Sequence, residues 1–147
     1  MKFRKNLLAS AALILVTIIS LAGLNPAFAE EAPKVVKITV NDAKSYSPPG
    51  HYKMDATALI GGIAGNAKAV ALNLSTFETG GGADQGAKPA ESIYFVLEGT
   101  LTITTPDGDI TLNQYDALYR PAGAVAGIIN KSSKPVKMLV IFPTTGP

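Results

Sequence analysis

"SIYFVLEGTLTITTPDGD", residues 92–109, decides the fold class of this chain. In an extended chain Ser92, Tyr94 and Val96 fall on one side, and Ile93, Phe95 and Leu97 on the other, because strand side chains alternate. Glu98-Gly99 ends the run in a tight turn. "TLTITT" then sets Thr100, Thr102 and Thr104 against Leu101 and Ile103, one polar face and one apolar face. "PDGD" is a strong turn signal, since proline, aspartate and glycine each favour a reversal for their own steric reason. The stretch reads as strand, turn, strand, turn, which is antiparallel β structure.

The same punctuation continues on both sides. Downstream, "ITLNQYDALYR" supplies one or two strands, "GIIN" a short strand, "KSSKP" a turn and "VKMLVIF" a last strand. Upstream, "KAVALNLSTF" places Val70, Leu72 and Leu74 on one face, the period of a half-buried strand. "MDATALIGG" reads as a short strand and "GIAGNA" as a loop or hairpin tip. "PKVVKITVN", rich in valine and isoleucine, reads as a first strand. "AKSYSPPGHY" reads as irregular, because two prolines and a glycine interrupt it. "ETGGGADQGAKPAE" reads as a long glycine-rich loop. No amphipathic helix and no internal repeat stand out after the first thirty or so residues. The pattern predicts an all-β antiparallel sandwich or barrel.

The N-terminus belongs to a different class. Lys2, Arg4 and Lys5 precede an apolar run from Leu7 to Leu24, and "NPAFAE" closes it with Ala27 and Ala29 as small residues around Phe28. This describes a secretory signal peptide over residues 1–29, cut after Ala29. The run is also nearly long enough to span a bilayer, so a retained anchor is the competing reading. No cysteine follows it to carry a lipid. Export places the mature chain in the periplasm or outside the cell, with no membrane attachment after cleavage. Residues 30–67 then form an N-terminal strand and irregular arm, and residues 68–147 a barrel core.

Cleavage would leave one small domain. The chain has 13 Lys and Arg against 11 Asp and Glu, and losing Lys2, Arg4 and Lys5 leaves 10 against 11. The basic balance thus belongs to the leader, and no clustered basic field marks a nucleic-acid surface. With no cysteine, disulfides, thiolate catalysis and thiolate metal sites are excluded. A single histidine, His51, excludes a multi-histidine metal site within one chain. No G-x-S-x-G elbow, P-loop or dinucleotide fingerprint occurs.

"SIYFVLEG" and "YDALYRPAGAVAGIIN" resemble the two signatures of the cupin superfamily, and the resemblance spans residues 68–142. Gly80 and Gly99 fall at the ends of the first signature. Pro121, Gly123 and Asn130 match the second, where Tyr115 replaces the opening glycine. The resemblance implies a single cupin-like double-stranded β-helix, a jelly-roll barrel, with Ser92, Tyr94 and Val96 pointing inward. It also locates the usual metal ligands. Gly86 and Lys88 stand at the two histidines of the first signature, Ser92 at its glutamate, and Ala126 at the histidine of the second. A shift by one residue puts Gln85 and Ala87 at the histidines and Glu91 at the glutamate. Neither arrangement supplies the several imidazole or carboxylate ligands that a transition metal needs. The expectation is a barrel without metal or other cofactor.

Six residues are candidates for a ligand pocket: His51, Lys88, Ser92, Tyr94, Tyr119 and Arg120. Lys88 is a base or Schiff-base former if buried with a lowered pKa, and otherwise a partner of Glu91 or a solvated side chain. His51 is a general acid or base, or a loop histidine packed beside Tyr52. Arg120 could fork onto a ligand carboxylate, or pair with Asp116 to hold the turn before Pro121. Asp84 and Gln85 are ligand contacts or solvated loop residues. The resulting expectation is an exported small-molecule-binding or structural module. The alternative is an isomerase, lyase or hydrolase of the cupin class, using His51, Tyr94 or Lys88, or a metal recruited through Asp84, Glu91 and His51. A third is a barrel face covered by a protein partner. "KVVKITV" and "VKMLVIF" are read as exposed edge strands, and their pairing predicts a homodimer.

Overall fold

Nine strands in one antiparallel sheet make up the computed structural model, which describes residues 34–144. The proposed leader, residues 1–29, lies outside the described residues. β1 is Lys44–Tyr46, β2 His51–Ile60, β3 Val70–Ala87, β4 Ser92–Glu98 and β5 Leu101–Thr105. β6 is Gly108–Leu112, β7 Ala117–Arg120, β8 Val125–Ile129 and β9 Val136–Pro143. The sheet runs β6-β5-β8-β3-β9-β4-β7, with β2 on the other side of β3 and β1 on β2. It curls into the jelly-roll barrel that the resemblance implies.

β3 organises the barrel. Its first half, through Phe77, pairs with β9, and its last residues, from Gly82, pair with β8. The change of partner falls at Gly80-Gly81-Gly82. Gly80 adopts a positive φ. A Cβ on Gly81 would lie 2.2 Å from the Lys53 carbonyl oxygen, and one on Gly82 2.2 Å from that of Ile128. Here glycine lets two backbones touch as one strand changes partner within the sheet. The glycine-rich segment expected to be a loop is therefore strand as far as Ala87.

Other expectations also change. Of "PKVVKITVN", the described residues 34–41 form no strand. Val35 and Val36 stand exposed, and a short 3-10 turn follows at Val40–Asp42. Instead β1 lies within the proline-interrupted segment, where Ser45 Oγ meets Thr57 Oγ1 at 2.9 Å. "VKMLVIF" is not an edge. β9 is paired on both sides, with β3 and β4. Valine and isoleucine content alone does not distinguish a central strand from an edge strand or a strand from extended coil, because burial decides. The edge-strand argument for a homodimer thus has neither of its strands.

The core is the inside of the barrel. Phe77, Tyr94, Val96, Leu101, Ile103, Val136 and Met138 are all nearly or fully buried. Ile93 and its neighbours on the opposite face of β4 look outward, as the alternation predicted. Two exposed ion pairs, Lys131–Asp109 at 2.7 Å and Lys137–Glu98 at 2.9 Å, sit on the surface. The hydrogen bond from Lys137 holds the Glu98 carboxyl below its ordinary value. Any stability it adds is present at neutral pH and lost as pH falls through that lowered value. Exposed pairs of this kind contribute little.

Two residues with a Cβ adopt a positive φ, Lys53 at +45° and Tyr115 at +70°. Tyr115 stands where the cupin signature has glycine. Its amide donates to Val96 O at 2.8 Å, and its ring tilts over Phe95 at 6.5 Å. The left-handed conformation costs a residue with a Cβ ~1–2 kcal/mol, and asparagine tolerates it better. Tyr115→Asn is expected to raise stability by about 0.5–1 kcal/mol, read as a higher melting temperature. An unchanged or lower midpoint would mean the Phe95 contact outweighs the strain.

Candidate functional site

The inner face of β4 and β7 assembles the most unusual group of side chains. Ser92 lies opposite Arg120 and Tyr94 opposite Leu118 in the β4–β7 register. Arg120 is 3 % exposed, Tyr94 2 % and Ser92 6 %. The guanidinium donates through Nε to Ala124 O at 3.2 Å and through Nη2 to the same oxygen at 2.9 Å. Nη2 also donates to Gly86 O, and Nη1 to Tyr94 Oη at 3.2 Å. The expected pairing with Asp116 does not form, because that carboxylate accepts from the Asn113 amide at 2.7 Å, capping its own turn. Among the described residues no carboxylate lies within ion-pair distance of Arg120. A buried cation is thus held by carbonyl dipoles and one phenol, which leaves a full charge uncompensated. Beside it, Ser92 Oγ is buried with no hydrogen-bond partner.

Ser92 and Tyr94 line a cleft of about 230 Å³ in the barrel. Met54, Phe77, Met138, Val140 and Phe142 make its walls apolar. Tyr46 and Asn73 face it too, tied by an Asn73 Nδ2 to Tyr46 Oη hydrogen bond of 2.8 Å. His51, Lys88 and Glu91 also line it, the last two exposed to solvent. A second cleft of about 220 Å³ lies against Arg120, Asp84 and Gln85, and it shares His51 and Lys88 with the first. His51 Nδ1 is 2.9 Å from Pro49 O, a carbonyl that only accepts, so Nδ1 donates there and Nε2 is left for other partners. Lys88 is exposed and makes no ion pair with Glu91. The carboxylate of Glu91 accepts instead from the Tyr119 hydroxyl at 2.7 Å.

Five of the six candidate residues thus gather around two adjoining clefts. Tyr119 does not. It is 61 % exposed on the outer face and reaches the first cleft only through Glu91. Donating to Glu91 raises the Tyr119 phenol above its ordinary value. The contact therefore favours the protonated phenol, and what it adds to stability is lost as pH rises through that raised value. Glu91→Ala is expected to bring the Tyr119 titration down towards that of an ordinary tyrosine. Residue-resolved NMR titration of the tyrosine ring carbons checks this, and an unmoved titration refutes it.

The positions where cupins hold a metal are brought together, but not with ligands. Gly86 and Ala126 face each other in the β3–β8 register. Among the described residues no three His, Cys, Asp or Glu side chains cluster for a metal ion. The Gly86 carbonyl accepts from the Arg120 guanidinium. A fixed cation beside these positions opposes a second one. The residues present do not fit the metal of the family.

Sequence reading missed much of the cavity wall. Asn73 and Ser75 alternate with Leu72 and Leu74, and the period assigned the leucines to the core. In the structure Asn73 and Ser75 are the more deeply buried set, at 7 % and 4 %. Leu72 and Leu74 lie half-buried on the other face, so the apolar period pointed away from the face that lines the cavity. Tyr46 was hidden by its irregular proline-rich setting.

Comparison with known proteins places this arrangement. Residues 73–142 match the model of the cupin domain family. A Mycobacterium tuberculosis protein named as a beta-D-galactosidase is 27 % identical over 106 residues, covering 71 % of this chain and 91 % of the relative. The polyketide cyclase RemF of Streptomyces resistomycificus superposes with a TM-score of 0.68 at 21 % identity, covering 78 % of this chain and 82 % of its own. A sugar phosphate isomerase of the cupin superfamily from Silicibacter pomeroyi gives 0.63 at 20 % identity, covering 75 % and 76 %. What the two solved structures share with this chain is the fold.

Proposed function

We propose that this cupin domain is an exported, metal-free barrel that binds one small molecule in its interior. The observation that carries the reading is the cleft of about 230 Å³ with apolar walls and a few convergent polar groups at Ser92, Tyr94 and Asn73. Ligand sites are commonly built this way, and volumes of about 300–1,000 Å³ are usual. The ligand here is accordingly small, one ring rather than several. Lys88 and Glu91, of opposite charge and exposed to solvent, also line the cleft.

The experiment is a thermal-shift screen of single-ring acids, amides, monosaccharides and sugar phosphates, on wild type and Ala56→Leu. Ala56 is 2 % exposed on the cleft wall, and leucine there takes up ligand space. A ligand at a hundred times its Kd adds about 2.7 kcal/mol, on the order of a 10 °C rise. That rise should vanish in Ala56→Leu. A rise that persists in the variant would place the ligand elsewhere.

His51 favours a second reading, an enzyme, because it lines both clefts while its Nδ1 is engaged with Pro49 O, which leaves Nε2 for proton transfer. Product analysis of each bound compound separates the two, since turnover that stops in His51→Gln would replace binding with catalysis. Glycoside hydrolysis ordinarily uses two carboxyl groups flanking the bond. Among the described residues Glu91 is the one carboxylate lining the first cleft, which argues against carrying the relative's name to this chain.

Export and self-association complete the proposal. The charged, apolar and small-residue zones of residues 1–29 support cleavage after Ala29, and an intact chain in the membrane fraction would oppose it. For a homodimer, Ile93 and Tyr119 are neighbours in register and both exposed, at 43 % and 61 %. Light scattering at micromolar concentration should give a dimer that Ile93→Glu dissociates. A monomeric wild type would end that part of the proposal.

A further inference from the structure

The corner formed by Ser92, Tyr94 and Arg120 has more hydrogen-bond donors than acceptors. Arg120 has five N–H groups, three of which go to the carbonyls of Ala124 and Gly86, and one to Tyr94 Oη. One Nη1 hydrogen is left over. Tyr94 accepts from Arg120 and has no acceptor for its own hydroxyl proton. Ser92 Oγ has no partner of either kind. Three unused hydrogens and one uncompensated charge thus meet in a place almost closed to solvent. Ser92 and Tyr94 face the first cleft, with the guanidinium 3.2 Å behind the phenol.

We propose that this corner is the seat of an anionic group and that the ligand is a small carboxylic acid with an apolar, single-ring body. This rests on the interior-binding reading above and names its ligand class. The carboxylate accepts from Tyr94 and Ser92. Arg120 acts through Tyr94, polarising its O–H and supplying the countercharge from behind. Hydrogen bonds to an ionised acceptor are the strong ones, and low local dielectric strengthens them further. The ring lies against Phe77, Met138 and Val140. An ionised carboxylate fits better than a neutral carbonyl, which can use the donors but leaves the Arg120 charge unanswered. Arg120 also stands beside Gly86 and Ala126, the positions where the family motif has histidines. The positive charge at this end of the barrel is therefore covalently part of the chain.

The test measures binding of benzoate, cyclohexanecarboxylate and benzamide to wild type, Tyr94→Phe and Ser92→Ala, by calorimetry. Both variants keep the barrel's packing, and circular dichroism verifies their folding. At least one of the two acids should bind wild type at least about tenfold more tightly than benzamide does. Tyr94→Phe should weaken the acid about tenfold to a hundredfold, the range for losing a hydrogen bond to a charged group. Its effect on benzamide should be clearly smaller. Equal binding of acid and amide, or a preference untouched by Tyr94→Phe, overturns the proposal and means that water or a neutral group fills this corner. Binding of benzamide alone also overturns it while leaving the interior-binding reading standing. If none of the three binds at millimolar concentration, the acid proposal falls, and the broader screen then decides the binding reading separately.

Discussion

Asn130→Ala is expected to lower the melting temperature by on the order of 10–20 °C. Asn130 is fully buried. Its Nδ2 donates to the carbonyls of Phe77 at 3.0 Å, Glu78 at 3.1 Å and Lys134 at 2.8 Å. Its Oδ1 accepts from the Ser132 amide at 2.9 Å and from the Ser132 hydroxyl at 2.7 Å. Its backbone adds two more bonds, to Gly80 and Gly81. One side chain thus ties the end of β8, the corner of β3 and the turn before β9. Alanine leaves carbonyls without donors, each costing about 1–3 kcal/mol where it stays dry, for a total of about 3–5 kcal/mol. In a domain of this size that corresponds to the shift stated. Asn130→Asp is the sharper variant. It keeps the acceptor for Ser132 but turns an ionised oxygen towards three carbonyls. It should be at least as harmful at neutral pH. Its folded-state pKa would be raised, so its deficit should shrink as pH falls and protonation restores a donor. Melting curves across pH check both, and a drop below about 3 °C for alanine would mean that water replaces the amide.

Gly82→Ala is expected to cost about 2–4 kcal/mol, while Gly86→Ala four residues along the same strand should be nearly neutral. A Cβ at Gly82 would lie 2.2 Å from Ile128 O and 2.8 Å from Tyr52 Oη. The first is backbone in the β3–β8 ladder and cannot move without opening it, so the substitution acts as overpacking at a rigid wall. Nothing lies within 4 Å of a Cβ at Gly86. The pair separates close approach from general glycine effects, because propensity alone would treat the two alike. Denaturant unfolding of both variants is the measurement. Similar costs at the two positions would remove the argument that contact, and not flexibility, selects glycine here.

The glycine triplet also shows where sequence reading reaches its limit. "ETGGGADQGAKPAE" reads as a loop, since glycine is a poor strand former and turns favour it. The same residues are demanded by a strand that changes partner, because there the neighbouring chain leaves no room for a Cβ. Both causes produce one composition. The binding site was partly legible for a similar reason. Ser92 and Tyr94 follow from period-two alternation, and so does their inward direction once the barrel is accepted. Asn73 and Ser75 alternate just as cleanly on β3, but there the polar set lines the cavity and the leucines lie half-buried on the other face, so hydrophobicity points to the wrong side.

The sequence by itself determined the all-β class, the turn positions at Glu98-Gly99 and "PDGD", and the resemblance to the cupin signatures. These are local properties, fixed by steric rules within a few residues. Only the tertiary structure decided where the charge of Arg120 goes. Asp116 is near in sequence, and an ion pair between them is the economical local guess. The register of β4 with β7 instead directs Arg120 into the barrel, against Tyr94 on the neighbouring strand and Gly86 far along the chain. Partners so distant in sequence are chosen by strand pairing and burial, which depend on every strand of the sheet at once.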